Sequence, residues 1–300
     1  MRTIDLHVHS LVSDGSLRPE EIATHAAERG LSAFALTDHD NIAGDEAAWQ
    51  AAERLGLGFL PGMELSVRFR GRKLHIVCLG FDAEQPSFQE IYRKVRAGKE
   101  AKIPEIIDRI AAQGVPIRLA DVEAFAYGPL DRYAIMRYLV SLHLYDHAQP
   151  LWDNYLDPAV QALGLAAAIE AEEALPLIHA AGGVTSLAHF HKRIGLKGLT
   201  RDEQEQAVRE LHALGLDGME AWYPNYSEDD RTFAGYLIEK YHLLPTAGTD
   251  YHGTNRPEIE LGSGLQAENA IPFSLFEGVA ARVRRVLSPA ASMRDVHNYD

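Results

Sequence analysis

The chain has one cysteine, Cys78, in 300 residues, so no internal disulfide can form. No signal-peptide pattern opens it, and together these features set the expectation of a reducing cytoplasm. No apolar run approaches the ~20 residues that span a bilayer, so no membrane partner is expected. Positive charge is also scarce. Lys and Arg number 29 against 43 Asp and Glu, a formal net charge of -14. That argues against long nucleic acid held by charge alone. A small anionic substrate stays open, because bound metal ions reverse the local field. Internal repeats and low-complexity tracts are absent, and no stable protein partner is evident. What the chain does have is an ordinary apolar fraction of 46%, enough for a sizeable core, and fourteen histidines.

The apolar pattern alternates between two periods. Ile4 to His9 alternates as a strand does, with Asp5, His7 and His9 on one face. Leu17 to Arg29 has helical spacing, with Pro19 in the first turn and Gly30 past the end. Ala33–Leu36 is a second strand, Asp45 to Leu55 a second helix, and Met63–Val67 with Leu74–Leu79 a hairpin around Gly71. Ser87 and Glu90 have capping-box spacing ahead of a long helix. From there to Ala181 the spacing is helical without a convincing strand. Strand patterns return at Val184–His189, Asp217–Trp222 and Leu244–Asp250, separated by helices over Arg201–Leu214 and Asp229–Tyr241. This is an α/β sheet or barrel of about seven parallel strands. Residues 1–86 and 176–300 form the barrel in this reading, and 87–175 a helical insertion contributing to substrate binding.

Functional groups gather at the carboxyl ends of parallel strands. His7, His9, His39, His75, His189 and His252 all fall on or just after expected strands, and Asp14, Asp38, Glu64 and Asp250 accompany them. Imidazole with carboxylate suits zinc, manganese or iron. Each short motif alone is weak; their joint placement at strand ends is not. His25, His143, His147, His179, His212 and His242 lie in helical patterns and His297 in the tail, where surface or boundary roles suffice. Trp49, Trp152 and Trp222 are assigned to packing, and Cys78 to a strand in the core. His191, two residues past His189, can face the same cavity.

In order, these residues resemble the PHP (polymerase and histidinol phosphatase) family of amidohydrolase-like barrels. The resemblance rests on Asp5-Leu6-His7-Val8-His9-Ser10 with Ser13-Asp14-Gly15, and on Thr37-Asp38-His39-Asp40. It continues through Pro61-Gly62-Met63-Glu64, Leu74-His75-Ile76, Ser186-Leu187-Ala188-His189 and Gly248-Thr249-Asp250-Tyr251-His252. It implies a distorted (β/α)7 barrel with two to three divalent ions, manganese first, iron or zinc otherwise. Carried over, His7, His9, Glu64 and Asp250 hold one ion. Glu64, His75 and His189 hold a second, and Asp14, His39 and His252 a third. Asp38 is then a carboxylate that orients a ligand.

Within the family the chain is most similar to the nucleoside 3′,5′-bisphosphate phosphatase group. The implied reaction turns adenosine 3′,5′-bisphosphate into AMP and phosphate. The alternatives are a 5′-to-3′ exoribonuclease on short 5′-phosphorylated RNA and a histidinol-phosphate phosphatase. The partner is thus a small nucleotide or a short RNA. Asp38 and His191 are the catalytic candidates, His191 as donor to the leaving ribose oxygen or as a phosphate ligand. A bisphosphate needs a second anion site. Arg93, Lys94, Arg96, Lys99 and Lys102 form a basic cluster, with Lys99 and Lys102 expected on one helix face. Arg132, Tyr133, Arg137 and Arg193 are further candidates, and Ala134 stands where the group's motif has histidine.

Overall fold

The computed structural model describes residues 2–145, 148–165, 169–265 and 270–286. Its first part runs β1 (Thr3–Asp5), α1 (Pro19–Glu28), β2 (Leu31–Leu36), α2 (Asp45–Leu55), β3 (Gly58–Phe69) and β4 (Arg72–Leu79). A helical stretch follows: α3 (Pro86–Glu100), α4 (Ile103–Ala111), α5 (Leu119–Glu123), α6 (Arg132–Ser141), α7 (Gln149–Leu151), a π-helical turn (Trp152–Leu156) and α8 (Asp157–Ala162). The chain then returns through β5 (Ile169–Glu170), α9 (Ala171–Ala180), β6 (Val184–Leu187), α10 (Arg201–Ala213) and β7 (Gly218–Trp222). It finishes with α11 (Glu228–Tyr241), β8 (Leu244–Ala247) and α12 (Ser274–Val286).

The strands form one mixed sheet in the order β1-β2-β3-β4-β6-β7-β8, with β5 beside β3. The strands pair parallel as expected except around β4, which is antiparallel to β3, as in the expected hairpin around Gly71, and also to β6. The cause is local. Arg70 and Gly71 both have positive φ, 51° and 75°, and make a two-residue hairpin turn between Phe69 and Arg72. The short β5, which helical spacing alone did not suggest, pairs Val67 with Ile169.

β1 stops at Asp5, shorter than its alternation suggests. Beyond it the backbone pairs with the end of β8 instead. Leu6 N–H donates to Ala247 O (3.3 Å), Asp250 N–H to His7 O (2.8 Å) and His9 N–H to Tyr251 O (2.9 Å). The two ends of the strand path therefore meet beside His7 and His9.

Two buried clusters fill the sheet's faces, one around Met63, Leu65, Ile76 and Leu187, the other around Ile4, Val77, Leu79 and Val279. α3 belongs to the first, through Phe88, Ile91 and Val95. Its start is set by Pro86 at the first helical position rather than by a Ser87–Glu90 capping box, and Gln85 is the cap residue. The helices from Ile103 to Ala159 have a core of their own, built on Ile106, Ile110, Ile135, Met136 and Leu156. No helix among the described residues is long and apolar enough to cross a membrane.

Candidate metal centre

Glu64 is the hub. It lies mid-strand in β3, fully buried, and its N–H donates to the carbonyls of Thr37 (3.1 Å) and Asp38 (3.2 Å). Its Oε1 is 2.8 Å from His189 Nε2, 2.9 Å from His75 Nδ1 and 3.3 Å from His7 Nε2. Its Oε2 is 2.8 Å from His39 Nδ1 and 3.4 Å from His9 Nε2. Five imidazoles, four from beyond the ends of β1, β2 and β6 and one from within β4, thus converge on one carboxylate.

Asp250 and Asp14 extend the assembly. Asp250 Oδ1 lies 3.2 Å from His9 Nε2 and 3.6 Å from His7 Nε2. Asp14 reaches His252 Nε2 at 3.2 Å and His39 Nε2 at 3.5 Å. Three sets of donor atoms each lie within 4.8 Å of one another: His7, His9, Glu64 and Asp250; His39, Glu64 and His75; His9, Asp14, His39 and His252. His39 and His9 each touch two sets, whereas the resemblance gave His39 to one and placed His189 with Glu64 and His75.

Whether such residues suit metal ions is tested by their polar atoms. His7 Nε2, His9 Nε2, His39 Nδ1, both nitrogens of His75, His252 Nε2, Asp14 Oδ1 and Glu64 Oε2 are buried without a hydrogen-bond partner. Buried polar atoms are almost always satisfied, so this concentration is abnormal for a structural core. A cation that accepts several lone pairs at once satisfies them together. The residues fit. Strain is stored at the same place: Asp40, His189 and Asp250 take φ of 52°, 25° and 56°, in the region side chains disfavour.

A second layer holds these side chains. Glu220 accepts from His7 Nδ1 (2.7 Å) and from His189 N–H (2.6 Å). Asp5 ties the two ends of the strand path together, accepting from Thr249 N–H (2.9 Å), Thr249 Oγ1 (2.5 Å) and Gly262 N–H (2.9 Å). Asp38 touches none of the imidazoles. It accepts from Ser10 N–H (2.8 Å), Ser10 Oγ (2.6 Å) and Ser13 Oγ (2.5 Å), which shapes the loop carrying Asp14. Asp250 Oδ2 collects Tyr223 Oη (2.6 Å), Arg256 Nη1 (2.6 Å) and Lys192 Nζ (3.0 Å).

The electrostatics of the ion-free site follow. Burial alone would raise Glu64, but His75, His39 and His7 hold its carboxyl well below the usual range. Burial likewise opposes Asp250, which Arg256 and Lys192 keep low, and Asp14, which His39 and His252 keep low. Burial depresses His9 and His75 to about 3, with neighbouring cationic imidazoles adding to the effect. Burial also works against a charged His39, yet Glu64 and Asp14 raise it to about 10. His191, depressed by burial and then by Lys192, falls to about 4.

The residues expected to bind substrate are scattered. Lys99 and Lys102 do not share a helix face. α3 ends at Glu100, and Lys102 takes a left-handed conformation, φ 55°, ψ 36°. Lys99 is buried, pairs with Asp40 Oδ2 at 2.9 Å and reaches Tyr133 Oη at 3.2 Å. Lys102 is exposed. Lys94 pairs with Glu90 and Glu173, and Arg96 with Asp131 (3.0 Å) and Glu100 (3.1 Å), so the basic cluster is largely neutralised. Arg132 is buried and donates to Gly98 O. Arg137 donates to the carbonyls of Leu11 (2.8 Å), Ser13 (2.9 Å) and Phe125 (2.8 Å), bracing the Asp14 loop. Arg193 is exposed, 3.8 Å from Asp157. His191 packs among Tyr226, Tyr223 and Phe190 with ring centroids 4.9, 5.5 and 6.3 Å away.

Of the other histidines, His179 pairs with Asp217 (2.6 Å), His25 with Glu28 (3.6 Å), and His212 Nδ1 with Leu216 O (2.9 Å). His143 and His242 take positive φ, 52° each, with His242 at the end of α11. His147 and His297 lie outside the described residues.

A cavity of about 460 Å³ opens beside the third donor set. Asp14, His252, Gln149, Trp152, Asn255 and Arg256 are among the residues that line it. Trp152, assigned to packing from the sequence, does pack against the helical core and lines this cavity as well. Glu220, Lys192, Tyr223 and Arg256 have no motif of their own. Their one signal is position: Glu220 near the carboxyl end of β7, Lys192 and Arg256 shortly after His189 and His252.

Residues 5–158 match the PHP domain family. Over 267 residues the chain is 31% identical to a 5′-3′ exoribonuclease of Haemophilus influenzae, covering 89% of this chain and 96% of that one. Over 264 residues it is 29% identical to a 3′,5′-nucleoside bisphosphate phosphatase of Chromobacterium violaceum, covering 87% and 91%. A solved structure from Bifidobacterium adolescentis, described as a metal-dependent phosphoesterase, superposes with a TM-score of 0.79 at 26% identity, covering 94% of this chain and 96% of that one. The chain belongs to the PHP domain family, and the relatives it matches here are hydrolases of phosphate esters.

Proposed function

We propose that this protein removes the 3′-phosphate of nucleoside 3′,5′-bisphosphates, leaving a nucleoside 5′-phosphate and inorganic phosphate. The observation that carries this reading is the union of the three donor sets with a cavity sized for one nucleotide. Divalent ions, manganese first, would be held by His7, His9, Glu64 and Asp250, by Glu64, His75 and His189 with His39 beside them, and by Asp14, His39 and His252. Bound there, they supply water activated near neutral pH and charge neutralisation at phosphorus.

The chain's own side chains do the rest. Glu220 orients His7 through its Nδ1, and Asp38 fixes the loop that presents Asp14. Arg256 and Lys192 bring two cations beside the reacting phosphate, held there by Asp250. His191, uncharged at neutral pH, serves as a hydrogen-bond partner of phosphate rather than as an imidazolium acid. The helical stretch from 87 to 175 contributes Gln149 and Trp152 to the lining of the cavity.

The Haemophilus relative favours a second reading, a 5′-to-3′ exoribonuclease on short 5′-phosphorylated RNA. A strand-tracking groove uses a succession of cations. Among the described residues Arg256 is the one Lys or Arg lining this cavity, which favours the mononucleotide.

The test is phosphate release by the manganese-loaded protein from adenosine 3′,5′-bisphosphate, with 5′-AMP, 3′-AMP and histidinol phosphate alongside. Selective release from the bisphosphate is expected. Comparable release from all four would remove the proposal. Turnover confined to 5′-phosphorylated oligonucleotides would establish the second reading.

A further inference from the structure

We infer that Trp152 is the stacking platform for a single nucleobase, and that the cavity it lines together with Asp14 and His252 is a base-binding site. This rests on the nucleotide reading above and adds which residue recognises the base.

Trp152 is half-buried, packs against the helical core and lines the cavity together with Asp14 and His252. It opens a π-helical turn, Trp152–Leu156, between α7 and α8. Such turns interrupt helical packing and recur at functional sites. The indole is also held in place. Its ring meets Tyr133 edge-on, centroids 5.6 Å apart at 68°. Tyr133 in turn lies parallel to His39, centroids 6.0 Å apart at 4°. A chain of three rings thus fixes the position of Trp152 relative to the donor sets. A rigid aromatic face loses little entropy on binding and accepts any base.

The polar surroundings suit a nucleotide lying on that face. Asn255 is anchored through Nδ2 to Asp14 O at 2.7 Å, beside the third donor set. Arg256 gives Nη1 to Asp250 at 2.6 Å, and its guanidinium carries further N–H donors for a phosphate. Glu258 lines the same cavity and can accept from an exocyclic amine or ring N–H of a base. A ligand with its phosphate at Asp14 and His252 therefore has an aromatic wall for its base within the same 460 Å³.

The experiment measures binding without turnover. Adenosine 5′-phosphate and ribose 5-phosphate are titrated into the manganese-loaded full chain by calorimetry, with tryptophan fluorescence in parallel. Wild type, Trp152→Ala and Trp152→Phe are compared. In Trp152→Ala the preference for adenosine 5′-phosphate over ribose 5-phosphate should fall about tenfold, the usual scale of one base–aromatic stack. Trp152→Phe should recover most of it and lose most of the fluorescence response. Equal weakening of both ligands in Trp152→Ala would show a packing residue and overturn the inference, as would an unchanged preference. If Trp152→Ala fails to fold, a Trp152→Phe protein whose fluorescence response to adenosine 5′-phosphate is unchanged also overturns it. A protein that binds the nucleotide through Trp152 yet leaves the bisphosphate intact would remove the proposed reaction and keep the base site.

Discussion

Glu220 Oε1 lies 2.7 Å from His7 Nδ1, and the opposite nitrogen of that ring, Nε2, faces Glu64 and Asp250. A carboxylate at Nδ1 holds the proton there, so Nε2 presents its lone pair to the first donor set. Replacing Glu220 with Gln keeps the shape and removes the charge. Metal affinity should fall by about 10- to 100-fold, the range for such outer partners. Equilibrium dialysis with manganese checks it, and unchanged affinity would free Glu220 of this role.

Metal loading should release protons. In the ion-free site His39 is raised to about 10 and His7 well above its ordinary value, so both carry a proton at neutral pH. A metal ligand must be neutral imidazole, hence the ion displaces those protons and its apparent affinity rises with pH. Calorimetric titration of manganese at pH 7 in buffers of different ionisation enthalpy should give different observed heats. Identical heats would contradict the protonation states described.

Lys99 is a structural cation. Its ammonium and the carboxylate of Asp40 are both buried and 2.9 Å apart. Lys99→Ala removes the counter-charge of Asp40, leaving it the Ser66 N–H at 2.6 Å, and breaking such a buried pair costs about 3–5 kcal/mol. A fall in denaturation midpoint is expected, larger than any change in KM specific to a bisphosphate. Full stability in Lys99→Ala would place Lys99 outside the core and return it to substrate binding.

Gly248 is where β8 passes His7. A Cβ there would come within 2.5 Å of the His7 backbone nitrogen. Gly248→Ala should cost about 1–3 kcal/mol as an overpacking change and weaken metal retention with it. Thermal unfolding with and without a chelator separates the two effects, and retention equal to wild type would refute the coupling.

Away from the site, Asp217 joins His179, Thr185 and Arg282. Burial works against its charge, but these partners hold its pKa below the usual value. A depressed carboxyl stabilises the fold above its unfolded pKa, about 3.9, and that stability is lost as pH falls through the folded value. Urea unfolding from pH 5 downward should show a shallower pH slope in Asp217→Asn than in wild type. Parallel slopes would exclude the contribution.

The residues that converge were legible in the sequence as polar groups on or just after expected strands: His7, His9 and Asp250 follow strand ends, while Glu64 lies mid-strand in β3. The repeated strand and helix periods likewise gave the α/β architecture. What stayed hidden depends on three-dimensional pairing. Lys99 looks like a surface cation until Asp40, 59 positions earlier, turns out to face it. The helix break at Ala101 and Lys102 has no glycine or proline at either residue to mark it. Trp152 has the character of a core residue and packs as one, and only the approach of Asp14 and His252, distant in sequence, makes it part of a cavity lining. The reversal of β4 against β3 is expected from the hairpin around Gly71, but strand periods alone do not orient β6, which pairs antiparallel with β4.

The seam between Leu6–His9 and Ala247–Tyr251 carries a consequence for biosynthesis. His7 and His9 precede Asp250 and His252 by some two hundred and forty residues. The first and third donor sets therefore stay incomplete in a nascent chain until Asp250 and His252 have been made, whereas His39, Glu64 and His75 are available far sooner. Folding that proceeds from the N-terminus during translation leaves His7 and His9 with Glu64 but without Asp250 over that interval. The donor sets are thus completed in sequence order, the His39–Glu64–His75 set first and the two that need the seam afterwards.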